Sequence, residues 1–333
     1  MTEDFEENIT DIILASEVSD ADFDLIIAPT GNTTSAKNPA IAYLMSLGSK
    51  RSQLVMASFL SIVARIIGYQ SLRDCDWQSL RRQHIQVIVQ KLSEEGRSPA
   101  TVNTYLCAMK GVAFEAWSMG QISSDEYHHI KAIKRVRGSR VAKGRALSQE
   151  EVQALISACK SDKTAAGLRD ASILSILVGC GLRRSELVAL DFESINTRER
   201  SLLVLGKGNK ERTMYVPDTS WLHLNEWLEE IRGHEAGALF SRIRKNDDVR
   251  SNRLSDQAVL YILSKRSAES DVENVSPHDL RRTFATYLLS AGENLMTIRD
   301  AMGHASIQTT QAYLRQGDEQ LKGASGRMDS IFN

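Results

Sequence analysis

The sequence from Ser276 to Tyr313 reads SPHDLRRTFATYLLSAGENLMTIRDAMGHASIQTTQAY. Ser276 is predicted as the N-cap of a helix and Pro277 as its first residue, where a missing N–H loses no hydrogen bond. His278 and Arg281, three positions apart, then lie on one face of the first turns. Free N–H groups at a helix start, beside an arginine and a histidine, are typical of a phosphate-binding site.

Further residues of the same stretch add reactive groups to this pattern. Gly303 is predicted to end a helix, His304 follows it directly, and Tyr313 comes nine positions after His304. A phenol is a nucleophile once a base removes its proton, and the histidines can carry protons. The stretch therefore predicts nucleophilic chemistry at a bound phosphate.

Length and composition favour a soluble protein with two domains. The 333 residues are 42% hydrophobic and 25% charged, which is usual for globular proteins, and they suffice for two cores. No apolar run reaches the roughly 18 residues of a membrane span, and the acidic N-terminus does not resemble a signal peptide. We therefore expect a cytoplasmic protein with no membrane partner. Reduced thiols with no zinc or redox spacing are expected at Cys75, Cys107, Cys159 and Cys180.

The net charge of −1 hides an uneven distribution. Residues 1–36 hold nine acidic and no basic side chains, so residues 37–333 carry 41 basic and 33 acidic ones, a net charge of +8. A basic body favours a polyanionic partner such as DNA, although charge alone does not exclude an ordinary solvated surface. Residues 1–36 are predicted as an acidic extension: either a disordered tail, or an arm that docks on a neighbouring subunit or shields a basic surface.

Three patterns predict the organisation of the remaining chain. Residues 37–130 carry apolar residues at helical spacing and predict a small helical bundle. Residues 131–146 predict an extended basic linker, which is either a solvated connection or a strap along a duplex. Residues 147–333 predict a second domain, which starts with a capping box at Ser148 and Glu151 and ends in a tail. The cations of the linker are Lys131, Lys134, Arg135, Arg137, Arg140, Lys143 and Arg145.

Two motifs of the second domain carry further cations. A predicted buried helix stops at residues 179–181, and Arg183 lies in the following turn, where Glu186 can hold its guanidinium. Two β-like runs flank residues 206–212, a predicted hairpin turn that contains Lys207. Each motif has a structural alternative, a surface arginine at a helix corner and a charged turn that keeps a hairpin soluble.

Five motifs in this order resemble the tyrosine site-specific recombinases, the phage-integrase family, with Xer-like spacing. They are GLRRSEL at 181–187, GKGNKER at 206–212, HDLR at 278–281, Gly303-His304, and Tyr313. Any one of them is a weak signal, whereas all five in order argue strongly against chance. The resemblance implies a mainly α fold, with an N-terminal helical core-binding bundle and an α+β catalytic domain containing a small antiparallel sheet. Together these domains are expected to form a C-shaped clamp around DNA.

The chemistry of the side chains supports a role for each motif. Arg183 and Arg281 can present guanidinium forks to the non-bridging oxygens of a phosphodiester. Tyr313, with an ordinary pKa of about 10, is the predicted nucleophile. His278 is the predicted base or proton shuttle, and His304 the predicted hydrogen-bond donor to phosphate.

The remaining roles concern the leaving group and the DNA surface. Lys207 is the predicted general acid that protonates the leaving 5′-oxygen. The expected intermediate is a 3′-phosphotyrosine with a free 5′-hydroxyl, and the chemistry needs neither ATP nor a metal ion or other cofactor. The predicted DNA contacts are the seven linker cations together with Lys210, Arg212 and Arg282.

The implied function is site-specific DNA recombination or integration through a Holliday junction. Its partners are double-stranded DNA with paired recombination sites and a homotetramer on two duplexes, and accessory DNA-bending or directionality proteins are compatible with it. One alternative is a type IB topoisomerase-like enzyme, which relaxes DNA without exchanging partners. Another is a non-catalytic DNA-binding regulator of the same fold. The sequence does not identify the target site, or choose among integration, excision, dimer resolution and transposition in a mobile element.

Three further interpretations concern individual residues. A metal site at His278 and His304 is the chemical alternative, but it lacks further ligands and lies beside repelling arginines. Tyr287 is predicted to be a packing residue. The tail after Tyr313 is predicted to dock on a neighbouring subunit.

Overall fold

The computed structural model describes residues 37–138, 144–206, 210–244, 247–273 and 275–304. The chain divides into two compact units, Met1–Ala142 and Lys143–Asn333, and each has its own hydrophobic core. The predicted mainly helical fold with a small antiparallel sheet is confirmed. Several predicted features lie outside the described residues: the extension 1–36, Arg140, Lys143, Lys207, Tyr313 and the C-terminal tail.

Helices make up the described part of the first unit. They are α1 (Pro39–Ser46), α2 (Lys50–Ile66), α3 (Arg82–Glu94), α4 (Pro99–Ser118) and α5 (Ser124–Lys131). The start of α4 follows from its sequence, because the Ser98 hydroxyl accepts the N–H of Thr101 and Pro99 occupies the first turn. The α1 and α4 helices pack closely, since a Cβ added at Gly111 would lie 2.2 Å from the Tyr43 ring.

The first residues of the predicted basic linker are hydrogen-bonded within the first unit. The Lys110 ammonium donates hydrogen bonds to the carbonyls of Lys131 (2.9 Å) and Ile133 (2.6 Å). The Asn103 side chain exchanges hydrogen bonds of 2.9 and 3.0 Å with the backbone of Val136. Residues 131–136 therefore pack on the first unit. Four linker cations in this region nevertheless keep exposed side chains: Lys131, Lys134, Arg135 and Arg137.

The described part of the second unit begins at residue 144, where the chain is hydrogen-bonded to the helix Pro277–Ser290. The N–H of Arg145 donates to Asp279 Oδ1 (2.9 Å), and the N–H of Leu147 donates to Thr283 Oγ1 (2.8 Å). A Cβ on Gly144 would lie 2.3 Å from the same carboxylate oxygen. This entry segment is thus hydrogen-bonded to the helix that contains His278 and Arg281.

Helices also dominate the described part of the second unit. They are α6 (Gln149–Ser161), α7 (Ala165–Cys180), α8 (Arg184–Ala189), α9 (Asp218–Trp227, continued by a π-helical turn Leu228–Arg232), α10 (Asp256–Glu269), α11 (Pro277–Ser290) and α12 (Leu295–Met302). The predicted capping box of Ser148 and Glu151 starts α6. The α7 helix is buried along most of its length and packs against α6, α9 and α11.

The strands form two antiparallel sheets. The first contains β1 (Ile195–Asn196), β2 (Ser201–Gly206) and β3 (Lys210–Tyr215), and the second contains β4 (Ser241–Ile243) and β5 (Val249–Arg253). In the predicted β2–β3 hairpin, Val204 pairs with Arg212 and Leu202 with Met214. Because side chains alternate along a strand, Arg212 lies on the same inward face as Met214.

Two surface findings complete the fold. No helix in the described ranges has both the length and the apolar character that crossing a membrane requires. Tyr287 on α11 is 44% exposed, which contradicts the prediction that it is a packing residue. It lies beyond residues 279–285, the part of α11 in which every residue is buried.

Candidate active site

Arg183 is positioned by the end of one helix and the start of the next. Gly181 ends α7 in the left-handed conformation (φ 60°), where a Cβ would lie 2.3 Å from the Phe284 ring. Arg183 then occupies the N-cap of α8. Glu186 Oε2 accepts its backbone N–H (2.9 Å), and Glu186 Oε1 accepts from its Nη1 (2.8 Å). The carboxylate therefore fixes both the backbone and the guanidinium of Arg183.

The Glu186 carboxylate is shared by two arginines. It is 4% exposed, and it also receives Nη1 (3.1 Å) and Nη2 (2.8 Å) of Arg212. Burial raises the pKa of Glu186, but hydrogen bonds and charge from Arg212, with the charge of Arg183, outweigh burial and lower the pKa to about 2. Glu186 is therefore a carboxylate at neutral pH.

Arg281 is presented by the first turns of α11. The predicted cap is present, since the Ser276 hydroxyl accepts the N–H of Asp279 and Pro277 occupies the first turn. Arg281 is 3% exposed. Its guanidinium donates to the carbonyls of Gly181 and Met302 and lies 2.9 Å from His304 Nε2. Arg281 therefore joins the end of α7, the end of α12 and His304.

His304 follows Gly303, the left-handed C-cap of α12 (φ 62°) that the sequence predicts. Since a guanidinium can only donate, Nε2 of His304 accepts from Arg281, and the imidazole proton resides on Nδ1. Burial, followed by the positive charges of Arg281, Arg183 and His278, lowers the pKa of His304 to about 3. His304 is thus a neutral imidazole whose Nδ1–H is its donor.

This environment makes stability depend on pH. An unfolded histidine has a pKa of about 6.5, so between that value and about 3 the unfolded chain binds the proton that folded His304 does not. The free energy of unfolding is therefore expected to fall as the pH falls through this window, by at most about 1.4 kcal/mol for each pH unit. The pKa of Glu186 adds a fall of the same sign below about 4.5.

Urea unfolding measured between pH 6.5 and 4.5 checks this expectation, because Glu186 contributes little there. A His304→Gln variant is expected to show a shallower pH dependence than the wild-type protein. The buried His223, whose pKa is also lowered by burial, stays in both proteins and contributes equally. His234→Gln on the surface is the control substitution, and equal slopes for wild-type protein and His304→Gln would contradict the expectation.

The structure gathers part of the predicted site at one corner. Arg183 Nη2 approaches the carbonyl of Gly303 (3.4 Å), and Arg281 reaches Met302 and His304 on either side of it. His278 is half-buried on α11, near enough for its charge to lower the pKa of His304. Two guanidinium groups and a neutral imidazole at one corner form a candidate anion site.

Two residues that the sequence predicts as DNA contacts, Arg212 and Arg282, are largely buried. The Arg212 side chain is 14% exposed and is paired with Glu186, so its guanidinium already has a carboxylate partner. Arg282 is 8% exposed, in the part of α11 where residues 279–285 are all buried. Contact of Arg212 and Arg282 with DNA stays a prediction, and the Arg212 guanidinium is already engaged by a carboxylate inside the unit. Alternation along β3 from the apolar Met214 could have shown that Arg212 points inward.

Other predicted residues lie at the surface. Lys210 is exposed at the start of β3. Arg145 forms a two-fold ion pair with Glu151, with both N–O distances 2.5 Å. Within the described ranges, no three His, Cys, Asp or Glu side chains are grouped as metal ligands.

The sequence of this chain is similar to a known protein family and to several of its members. Residues 145–320 match the profile of the phage integrase family. Tyrosine recombinase XerC of Alcanivorax borkumensis is 32% identical over 242 residues, which cover 71% of this chain and 76% of the relative. Tyrosine recombinase XerA of Pyrococcus furiosus is 31% identical over 254 residues, 73% of this chain and 86% of the relative.

Solved structures share the fold at lower sequence identity. The integrase of transposon Tn1549 in complex with transposon right end DNA has a TM-score of 0.65 at 17% identity, over 88% of this chain and 99% of that chain. The XerH site-specific recombinase bound to a palindromic difH substrate, a post-cleavage complex, has a TM-score of 0.62 at 18% identity, over 91% and 99%.

Proposed function

Because this chain belongs to the phage integrase family and is a tyrosine recombinase, we propose that it cleaves and rejoins DNA through a bond between Tyr313 and a 3′-phosphate. The observation that carries the proposal is the meeting of Arg183, Arg281 and His304 at one corner of the second unit. These residues come from motifs separated by up to 121 positions in the sequence. Their shared property is the ability to hold a phosphate.

Arg183, Arg281 and His304 would bind the scissile phosphate and stabilise the charge that develops on it. A phosphodiester carries negative charge that increases on its non-bridging oxygens as the nucleophile attacks, and preorganised cations stabilise such charge. The Arg183 and Arg281 guanidinium groups supply the positive charge, and the Nδ1–H of neutral His304 supplies a hydrogen bond. Glu186 keeps Arg183 oriented, because it bonds both the backbone and the side chain of that residue.

Two proton transfers complete the chemistry. Tyr313 Oη attacks phosphorus while His278 accepts its proton, and the bond from phosphorus to the 5′-oxygen breaks as Lys207 donates a proton to that oxygen. The products are a 3′-phosphotyrosine and a free 5′-hydroxyl. Attack by a 5′-hydroxyl on the phosphotyrosine reverses the sequence, so that strands rejoin without ATP. The side chains supply the whole clamp, and the proposed mechanism uses no metal ion or other cofactor.

The proposed partner is double-stranded DNA carrying paired recombination sites. Solved neighbours in complex with DNA support this choice. The exposed cations Lys131, Lys134, Arg135, Arg137 and Lys210 would neutralise phosphates and make binding fall steeply with salt. Exchange of one strand from each partner at a time, through a Holliday junction, calls for four protomers on two duplexes. The helical first unit is then a core-binding domain, and the predicted clamp shape stays a prediction.

Covalent trapping tests the proposed function. A duplex selected by binding from a random library with inverted repeats around a short spacer would be nicked within the spacer, so that the cleaved fragment diffuses away. We expect a denaturation-resistant adduct, which mass spectrometry assigns to the peptide containing Tyr313. No adduct, or an adduct at the exposed Tyr287, would overturn the mechanism.

A second assay separates recombination from relaxation. A supercoiled plasmid with two copies of the selected site is expected to yield recombinant products. Relaxation of the plasmid without exchange between the two sites would favour the topoisomerase-like alternative. Binding with neither activity would favour the non-catalytic regulator.

A further inference from the structure

Arg212 contacts two separate parts of the candidate site. It lies on β3 opposite the buried Val204, and its side chain is only 14% exposed. Its two terminal nitrogens donate to the two oxygens of the Glu186 carboxylate, and such a bidentate pair fixes the orientation of the guanidinium. Its Nε donates to the carbonyl of Ala301 (3.0 Å). One guanidinium thus joins the hairpin, the start of α8 and the end of α12.

The first contact controls Arg183. Each Glu186 oxygen accepts one hydrogen bond from Arg183 and one from Arg212. With Arg212 in place, the carboxylate cannot rotate without breaking hydrogen bonds on both sides. The orientation of the Arg183 guanidinium therefore depends on Arg212, which is 29 positions away in the sequence.

The second contact controls the approach to His304. Ala301 belongs to the last turn of α12, and Gly303 follows in the left-handed conformation. A Cβ at Gly303 would lie 3.0 Å from Arg212 Nη1, so the guanidinium packs directly against the turn that leads to His304. Arg212 holds this turn from the hairpin side, and Arg281 holds it through the carbonyl of Met302.

From these contacts we propose that Arg212 is a positioning residue for strand cleavage, which aligns Arg183 through Glu186 and His304 through the end of α12. The inference rests on the proposed function, because it assigns to Arg183 and His304 the task of holding the scissile phosphate. Arg212 itself does not touch the DNA. The positioning role takes the place of the DNA contact that the sequence predicts for Arg212.

An Arg212→Lys variant tests the inference, because lysine keeps the charge but cannot make the paired contact with Glu186 and the contact with Ala301 together. Its matched control is Arg200→Lys, beside the same hairpin, where the arginine pairs with Asp218 at the surface. Single-turnover adduct formation would be measured on two nicked duplexes. One carries the natural scissile phosphodiester, and the other carries a methylphosphonate, which lacks the negative charge.

On the phosphodiester, Arg212→Lys is expected to slow adduct formation by about 10- to 100-fold at unchanged DNA affinity, the scale of a small misplacement of catalytic groups. On the methylphosphonate the loss is expected to shrink to about 3-fold or less, because there is little charge for the arginine clamp to neutralise. Arg200→Lys is expected to match the wild-type protein on both. A loss of equal size on both substrates, or no loss, would overturn the inference.

The ratio of the two rates does not depend on how much of the variant is folded, because both substrates meet the same preparation. Arg212→Gln, which keeps a donor for Ala301 but loses the charge and the paired contact, is the second variant, and the same dependence on substrate charge is expected. Absence of any adduct with the wild-type protein would instead overturn the proposed function. The two failures are therefore distinguishable.

Discussion

A Tyr313→Phe variant is expected to bind its DNA site as tightly as the wild-type protein and to form no covalent adduct. The change removes one oxygen atom, the proposed nucleophile, and leaves the phosphate clamp of Arg183, Arg281 and His304 intact. Loss of the nucleophile from an enzyme that works by covalent catalysis lowers turnover by up to about 10⁶-fold, so we expect adduct and recombinants below detection. Affinity by gel shift and adduct on the nicked duplex are the two measurements.

Tyr287→Phe is the matched control for this experiment. Tyr287 is an exposed tyrosine on the helix that carries Arg281, so it tests whether another phenol near the site contributes. We expect wild-type adduct formation from Tyr287→Phe. Full strand exchange by Tyr313→Phe would show that the nucleophile has been assigned to the wrong residue.

Arg281→Ala is expected to lose both strand cleavage and stability. The side chain is buried, and its removal withdraws donors from the carbonyls of Gly181 and Met302 and from His304 Nε2. Buried groups left without a partner cost about 1–3 kcal/mol each, so with three acceptors affected we expect the free energy of unfolding to fall by about 3 kcal/mol or more. The pKa of His304 is expected to rise, because the Arg281 charge is one of the causes that lower it.

Arg281→Lys separates catalysis from folding. A lysine keeps the positive charge but cannot present a planar fork to several acceptors, so we expect a smaller loss of stability than with alanine. Cleavage is still expected to slow by about 10²–10³-fold, the scale for one lost transition-state donor. Single-turnover cleavage and urea unfolding measure the two effects.

Arg299→Ala is the control for the Arg281 variants. Arg299 lies on the neighbouring α12 and pairs at the surface with Asp300, and an exposed pair of this kind contributes at most about 1 kcal/mol. Cleavage at the wild-type rate by Arg281→Lys would contradict the role of Arg281 in the clamp.

The sequence correctly predicted the helix starts and ends that depend only on neighbouring residues. Ser276 and Pro277 start α11, Gly303 ends α12 in the left-handed conformation, and Ser148 with Glu151 starts α6. Each of these features depends on a residue and its neighbours within about four positions, because the orphan N–H and C=O groups of a helix end are satisfied locally. The sequence also predicts the residue types of the proposed site, since the proposed chemistry needs arginine, histidine and a phenol.

Only the tertiary structure decided which of these cations remain at the surface and which are paired inside. The basic motifs do not show that the Arg212 and Arg282 side chains are buried, nor that Lys110 and Asn103 bond the backbone of residues 131–136. The contacts from Arg212 to Glu186 and from Arg281 to Gly181 span 26 and 100 positions. These contacts form only when the α7–α8 turn, α11, the end of α12 and the β2–β3 hairpin pack together. A buried charge is tolerated only where such packing brings it a partner from a distant part of the chain.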